Sequence, residues 1–217
     1  MTAWQKWLIG APITIGLNLG LSALAAGEVW WFTHCWSDTA FMLIITVMWV
    51  VALALYPAGH GLRWRGTLTR RVIGTGLLLA IGLGVYERTH GPAADRSALW
   101  SIAGLALFLT ACVVGGLAAR TLGRSYSPDL DITGSRQLVT GGIYRLVQHP
   151  MYLALLLVSL GMPLMVRSVW GAAAGIILII PALWRRIGEE EDRLLQAFGD
   201  EYHEYQRRTR RLIPFIF

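Results

Sequence analysis

Two stretches in the last third of this chain combine residue types that can do chemistry. The first reads Gln148-His149-Pro150-Met151-Tyr152. Proline fixes its own φ and has no N–H to lose, which suits the first turn of a helix, so His149 stands at a helix boundary. The N–H groups and positive dipole end of such a start can hold an anion, although an X-Pro pair can equally be a helix initiator and nothing more. The second stretch opens with Arg185-Arg186 and continues through Glu189, Glu190, Glu191 and Asp192. Arg186 and Glu190 are four apart, so a helix sets this cation and carboxylate on one face; such pairs also decorate solvated helices. Read as the opening of a C-terminal helix, the acidic run is followed by Arg207, Arg208, Arg210 and Arg211, an order that complements the helix dipole. Ile187, Leu194, Phe198, Tyr202 and Tyr205 recur at helical spacing and predict an apolar stripe able to lie against a bundle or a membrane interface.

A hairpin would bring the two stretches together. Residues 151–166 and 169–184 are apolar, Val166-Arg167-Ser168 joins them, and Arg167 is the charge between Met151 and Trp184. The 217-residue chain is 55% hydrophobic and 15% charged, with a mean hydropathy of +0.52. A bilayer core of about 30 Å needs about 20 apolar residues per helix. Candidate spans are 7–32, 40–59, 72–86, 98–118, 151–166 and 169–184; the third, fifth and sixth are short and need little tilt, local thinning or flanking residues. The expected fold is an all-α integral membrane helical bundle of about six transmembrane helices plus a C-terminal cytoplasmic or interfacial helix.

Charge patterning supports that count. With the N-terminus inside, all of the 19 Lys and Arg except Arg88, Arg96 and Arg167 fall on the cytoplasmic side, as the positive-inside rule asks for an even number of spans and two cytoplasmic termini. The net charge of +6 is then a topology signal, and no nucleic-acid partner is expected. Many tryptophans, among them Trp30, Trp31, Trp100, Trp170 and Trp184, sit near span ends, where indole suits the headgroup zone. Lys6, an apolar run and Ala23-Leu24-Ala25 loosely resemble a secretory signal; cleavage there would leave five spans, but the apolar segment continues to a spanning length. Cys35 and Cys112 form no ligand spacing or disulfide framework, and His34, His60 and His90 are scattered, so no metal site is expected. The organisation reads as transmembrane helices over 1–118, then a unit over 119–217 of loop, hairpin and C-terminal helix. Its loop, from Arg120 to Gly142, is long enough to be functional. A multi-pass protein of a bacterial inner membrane is the expectation; oligomeric state is not legible.

At these residues the chain resembles the isoprenylcysteine carboxyl methyltransferase family, which belongs with the membrane phospholipid methyltransferases. The resemblance covers roughly residues 122–217 and rests on Leu138-Val139, Gly142, Tyr144, His149-Pro150-Met151-Tyr152, Arg186 with Glu190-Glu191, Phe198-Gly199, Tyr202, Tyr205 and Pro214-Phe215. It implies S-adenosylmethionine as cofactor, held by Leu138, Val139, Tyr144, His149, Pro150, Met151, Tyr152, Glu190 and Glu191, with Arg136 and Gln137 in loop positions that would join them. It implies Arg186 as the catalytic residue facing a lipophilic or prenylated acceptor reached through membrane lipid. Arg136 stands where the family loop usually has His, and Gln148 where it usually has Arg, which leaves the acceptor open.

Methyl transfer from a sulfonium depends chiefly on alignment and desolvation, and a carboxylate acceptor is already ionised at neutral pH. On this reading Arg186 aligns the acceptor carboxylate, Glu190 pairs with the cofactor's ammonium, and His149 with the helix start holds its carboxylate. A phospholipid amine N-methyltransferase, a sterol-reductase-like enzyme using a nicotinamide cofactor, and a non-enzymatic small-ligand channel or sensor are the alternatives.

Overall fold

The structure, a computed structural model, describes residues 68–91, 96–122 and 137–213, together with Trp36, Asp38, Thr39, Phe41 and Leu43. The span expected at 7–32, most of that at 40–59, Arg136 and Pro214-Phe215 lie outside the described residues. Five helices follow in order: α1 (Leu68–His90), α2 (Ala98–Leu122), α3 (Pro150–Met165), α4 (Val169–Phe198) and α5 (Asp200–Arg208), with a 3-10 turn at Gly142–Arg145 ahead of α3. Among the described residues the extended pairing is confined to one isolated bridge between Val147 and Arg210, so the all-α expectation holds there. Helices α2 and α4 are long and apolar enough to cross a bilayer, and α3 is apolar but shorter.

The solvent for which these helices are built shows in which side chains they hide. Helix α2 buries Ser101, Gly104, Phe108, Ala111 and Ala118 and exposes Leu99, Ile102, Leu109, Val113 and Leu117. In water the large apolar residues would go inside. Here the outward face is apolar and the inward face is mostly small, the pattern of helices whose association in lipid rests on close packing. The contacts are correspondingly tight. A Cβ on Gly104 would lie 2.6 Å from the Gly161 carbonyl oxygen and strike Met165 N, and one on Gly161 would lie 2.8 Å from the Gly104 oxygen. Pro163 inside α3 cannot bond the Ser159 carbonyl, and α4 packs Gly175 there, where a Cβ would be 2.7 Å from that oxygen.

The hairpin closes through a Schellman turn. Arg167 N–H donates to the Leu164 carbonyl and Ser168 N–H to that of Pro163, both at 2.9 Å. Arg167 takes the left-handed φ of 62° that usually falls to glycine; its side chain gains a 3.2 Å bond to Ser101 Oγ. Ser168 caps α4, accepting from Gly171 N–H at 2.8 Å. Its hydroxyl donates to Glu87 Oε2 at 2.5 Å, and the same carboxylate takes Trp170 N–H at 2.9 Å and pairs with Arg96 at 2.8 Å. A buried carboxylate from α1 thus sits on the positive end of α4. Beside it Arg88 grips the buried Asp38 at 2.8 to 3.0 Å.

Two expectations shift. The apolar stretch at 72–86 extends into a helix of 23 residues, about 34 Å at 1.5 Å per residue. The sixth stretch does not end where the charges begin: α4 runs unbroken for 30 residues, about 45 Å, so Glu189–Asp192 sit within a helix rather than at the start of one. Nothing in that run breaks a helix. The break comes at Gly199, with φ 52°, and the dipole-matched order belongs to α5, whose first turn holds Asp200 and Glu201 and whose last holds Arg207 and Arg208.

The reciprocal glycine contact gives a direct test. Gly104→Ala and Gly161→Ala should each lower the thermal unfolding midpoint in detergent by the equivalent of about 1–3 kcal/mol of overpacking. Gly116→Ala, whose Cβ would meet nothing within 4 Å, should leave it unchanged or raised. Equal midpoints for Gly104→Ala and Gly116→Ala would show that α2 and α3 do not cross here.

Candidate active site

Helices α3 and α4 return the two chemical stretches to one end of the bundle. His149 precedes α3 and is 4% exposed; its Nε2 lies 3.2 Å from Glu191 Oε1 on α4. An ionised carboxylate only accepts, so the proton between them is the imidazole's. The imidazole tilts against the Tyr152 ring, centroids 5.7 Å apart. Tyr152, half-buried in the first turn of α3, has Glu190 and Arg186 of the neighbouring helix near its hydroxyl. Arg186 is 6% exposed and lies 3.8 Å from Glu189, which also accepts from Arg185 at 3.1 Å.

Glu190 and Glu191 have different surroundings although they are adjacent. Both Glu191 oxygens are taken: Arg211 donates to them at 2.8 and 2.6 Å in the forked arrangement that carboxylates bind most tightly. The Arg211 guanidinium also lies over the Trp184 ring at 4.9 Å, a cation–π contact. Burial alone pushes the Glu191 carboxyl up, but the hydrogen bonds and charges of His149 and Arg211 outweigh it and hold the group below its ordinary 4.5.

Main-chain bonds carry Arg211 there. After α5 the chain runs parallel to the segment entering α3: Arg210 N–H donates to the Leu146 carbonyl at 3.2 Å, Gln148 N–H to that of Arg210 at 2.7 Å, and His149 N–H to that of Arg211 at 3.2 Å. The backbone N–H of His149, just ahead of the helix start, is therefore engaged by the tail. Gln148, which departs from the family pattern, is buried, and its side-chain amide donates to the Gln206 and Thr209 carbonyls at 3.4 and 3.2 Å, closing the end of α5. Tyr205 donates to the Tyr144 carbonyl at 2.8 Å and pins the 3-10 turn. That turn opens at Gly142, φ 56°, where a Cβ would sit 2.6 Å from Thr121 Oγ1, which fixes the turn against the end of α2.

Of the residues expected to form the site, His149, Tyr152, Arg186, Glu190 and Glu191 meet. Pro150 is buried and Met151 half-buried at the start of α3; Tyr144 is buried in the turn; Leu138 and Val139 are half-buried and Gln137 exposed in the segment leading to it. Arg136 lies outside the described residues. Sequence reasoning missed Arg211 and Tyr202. Tyr202 is almost fully buried, and burial, with Glu191 and Glu190 nearby, pushes its hydroxyl above the ordinary 10, so it remains a neutral donor. It makes no well-formed hydrogen bond. Its helical spacing marked it as packing, and nothing local distinguished Arg211 from the arginines beside it.

A phospholipid methyltransferase family model matches residues 99–201. A probable protein-S-isoprenylcysteine O-methyltransferase of Oryza sativa subsp. indica is 30% identical over 168 residues, covering 75% of this chain and 87% of the rice protein. Protein-S-isoprenylcysteine O-methyltransferase B of Arabidopsis thaliana is 28% identical over 200 residues, covering 85% and 99%. In three dimensions the chain is similar to the eukaryotic intramembrane Ras methyltransferase ICMT, with a TM-score of 0.69 at 21% identity over 94% of this chain and 74% of that one; at that identity the likeness concerns the fold.

Glu191 yields a pH prediction. Because its folded value is depressed, its contribution to stability is present above the ordinary 4.5 and is lost as pH falls through the lower folded value. Glu191→Gln should therefore unfold at a lower temperature than the wild type at neutral pH, and the gap should shrink below pH 4.5. A gap independent of pH would remove the ion pair as its cause.

Proposed function

Because this chain belongs to the protein-S-isoprenylcysteine O-methyltransferase family, we propose that it transfers a methyl group from S-adenosylmethionine to the carboxylate of an isoprenylcysteine-like acceptor at the membrane boundary. The observation that carries the reading is the meeting of His149, at the start of α3, with the acidic turn of α4 at 3.2 Å, beside a buried Arg186 and at the end of a helix hairpin that exposes apolar side chains.

The residues present suit such a donor. Its ammonium calls for a carboxylate, and Glu190 is half-buried beside Tyr152 while Glu191 is saturated. Tyr202 offers a buried hydroxyl that lacks a well-formed hydrogen bond, the kind of group a ligand's polar atom satisfies. The ring of Tyr152 supplies a face of the sort that attracts a cation. S-adenosylmethionine, when bound, provides a methyl group on a sulfonium. Leu138, Val139, Tyr144 and Met151 would form the apolar part of its wall.

What the chain adds is alignment and dryness. Arg186 has little contact with solvent, and in that setting a guanidinium holds a carboxylate in a fixed plane far more firmly than in water. The acceptor needs no base. Its oxygen forms the new bond to the methyl carbon as the carbon–sulfur bond breaks, both partners lose charge, and a site that excludes water favours that neutralisation. The acceptor's tail reaches the site laterally, past the exposed Ile177, Ile180 and Trp184 of α4. Both termini and the site belong to the cytoplasmic side of a multi-pass membrane protein, on the strength of the Lys and Arg distribution. Amine methylation of a phospholipid is the second reading, favoured by the family model.

Membranes containing the protein, given methyl-labelled S-adenosylmethionine, a small prenylcysteine and an ethanolamine lipid, should yield a product that releases labelled methanol in alkali, because a methyl ester hydrolyses and an N-methyl group does not. Label retained on the lipid headgroup after alkali would favour the amine reading, and no label transfer would refute both. Glu190→Gln should weaken donor binding by about 100-fold, the cost of removing one partner of a desolvated charge pair; calorimetry is the measurement. Arg186→Ala should leave donor binding intact and lower turnover by about 100-fold or more. Unaltered turnover would remove its assigned role.

A further inference from the structure

The resting partners of Glu191 point to a residue outside the motifs that brought the site to notice. One Glu191 carboxylate holds together three parts of the chain: α4 carries it, His149 reaches it from the start of α3, and Arg211 reaches it from beyond α5. Arg211 is itself constrained three ways, by its fork on Glu191, by the Trp184 ring, and by the His149 N–H that its own carbonyl accepts. His149 therefore meets Arg211 twice, once directly through the backbone and once through Glu191. With both Glu191 oxygens engaged and Glu189 set against Arg185 and Arg186, Glu190 is the carboxylate of this turn that stands beside Tyr152.

We propose that Arg211 is a positioning residue for the methyl donor: by fixing Glu191 and the His149 ring, it sets the wall against which Glu190 and Tyr152 receive that molecule. The inference rests on the methyl-transfer reading above and assigns Glu191 to support rather than to contact. Without the guanidinium, Glu191 keeps His149 alone. The carboxylate and ring can then turn together, and the parallel bridge at 146–149 loses the side chain that anchors its far strand. Arg208 provides the contrast: it is exposed and pairs with Glu204 one turn away on its own helix.

The test uses the full chain in detergent and S-adenosylmethionine as the calorimetric probe. Arg211→Gln should weaken donor binding about tenfold, the equivalent of ~1.4 kcal/mol, while turnover at saturating donor and the acceptor KM stay near wild type. Arg211→Lys, which keeps the charge but not the fork, should fall between. The Arg211→Gln/Glu191→Gln double variant should bind little worse than Glu191→Gln alone, since residues acting through one contact are not additive, and Arg208→Gln should match the wild type. Amide exchange should rise at Gln148 and His149 in Arg211→Gln and stay unchanged through α2 and α3. Donor affinity equal to wild type in Arg211→Gln overturns the proposal, as do fully additive losses, or a fall in turnover and acceptor affinity in step with the unfolding midpoint. Should Arg211→Gln fail to fold, Trp184→Leu removes the ring under the guanidinium and must give a smaller shift in donor affinity of the same sign. A wild type that does not bind S-adenosylmethionine sinks the methyl-transfer reading itself, an outcome distinct from wild-type binding that Arg211→Gln leaves untouched.

Discussion

Taking a carboxylate out of water costs several kcal/mol unless donors replace its hydration, and in this bundle that requirement ties distant segments together. At Glu191 the replacing donors are an imidazole 42 positions away and a guanidinium 20 positions away. Neither could be local, because the helical neighbours of Glu191 at three and four residues' distance are Ile187, Gly188, Leu194 and Leu195, none of which has a side-chain donor. The acidic turn can exist in a desolvated place only if the start of α3 and the segment after α5 close on it. Site assembly and charge burial are one event.

The far end of the hairpin obeys the same rule with different parts. Glu87 on α1 answers the positive end of α4, Ser168 and Trp170 supply its donors, and Arg96 balances its charge. Arg96 also bonds the Arg167 carbonyl at 2.7 Å, so the turn that joins α3 to α4 is held from outside its own sequence. Between these two polar clusters the helices meet through small residues, with Gly104 against Gly161 and Gly175 against the carbonyl that Pro163 leaves free. Polar order at both ends and close backbone contact in the middle leave the hairpin little room to slide.

Much of this was legible in the residue order. The apolar run from Met151 to Trp184, interrupted by Arg167, dictates a hairpin, and a hairpin must return Arg186 and Glu190 to the level of His149. What the order could not disclose was continuity and partnership. An acidic cluster after an apolar run looks like the opening of a new helix, because acids favour helix starts; the absence of any proline between Pro181 and Gly199 is the subtler signal and the decisive one. Arg211 lies among arginines of identical type, and its role depends on a main-chain pairing across 60 positions that no periodicity encodes. Gln148 read as a departure of unknown meaning, and its amide turns out to close the end of α5. The acceptor was not legible because the N-terminal half reads in sequence chiefly as apolar stretches, which carry no motif that selects one.

The unbroken course of α4 has a mechanical corollary. One rod carries the exposed Ile176 and Ile177 and, further along, the half-buried Glu190 and Glu191. Pro181 leaves it one weak point, since it removes a single rung of the ladder. The exposed apolar side chains of the lower shaft and the acidic turn above it therefore belong to one element, and Pro181 is the point between them at which a bend would change their relation.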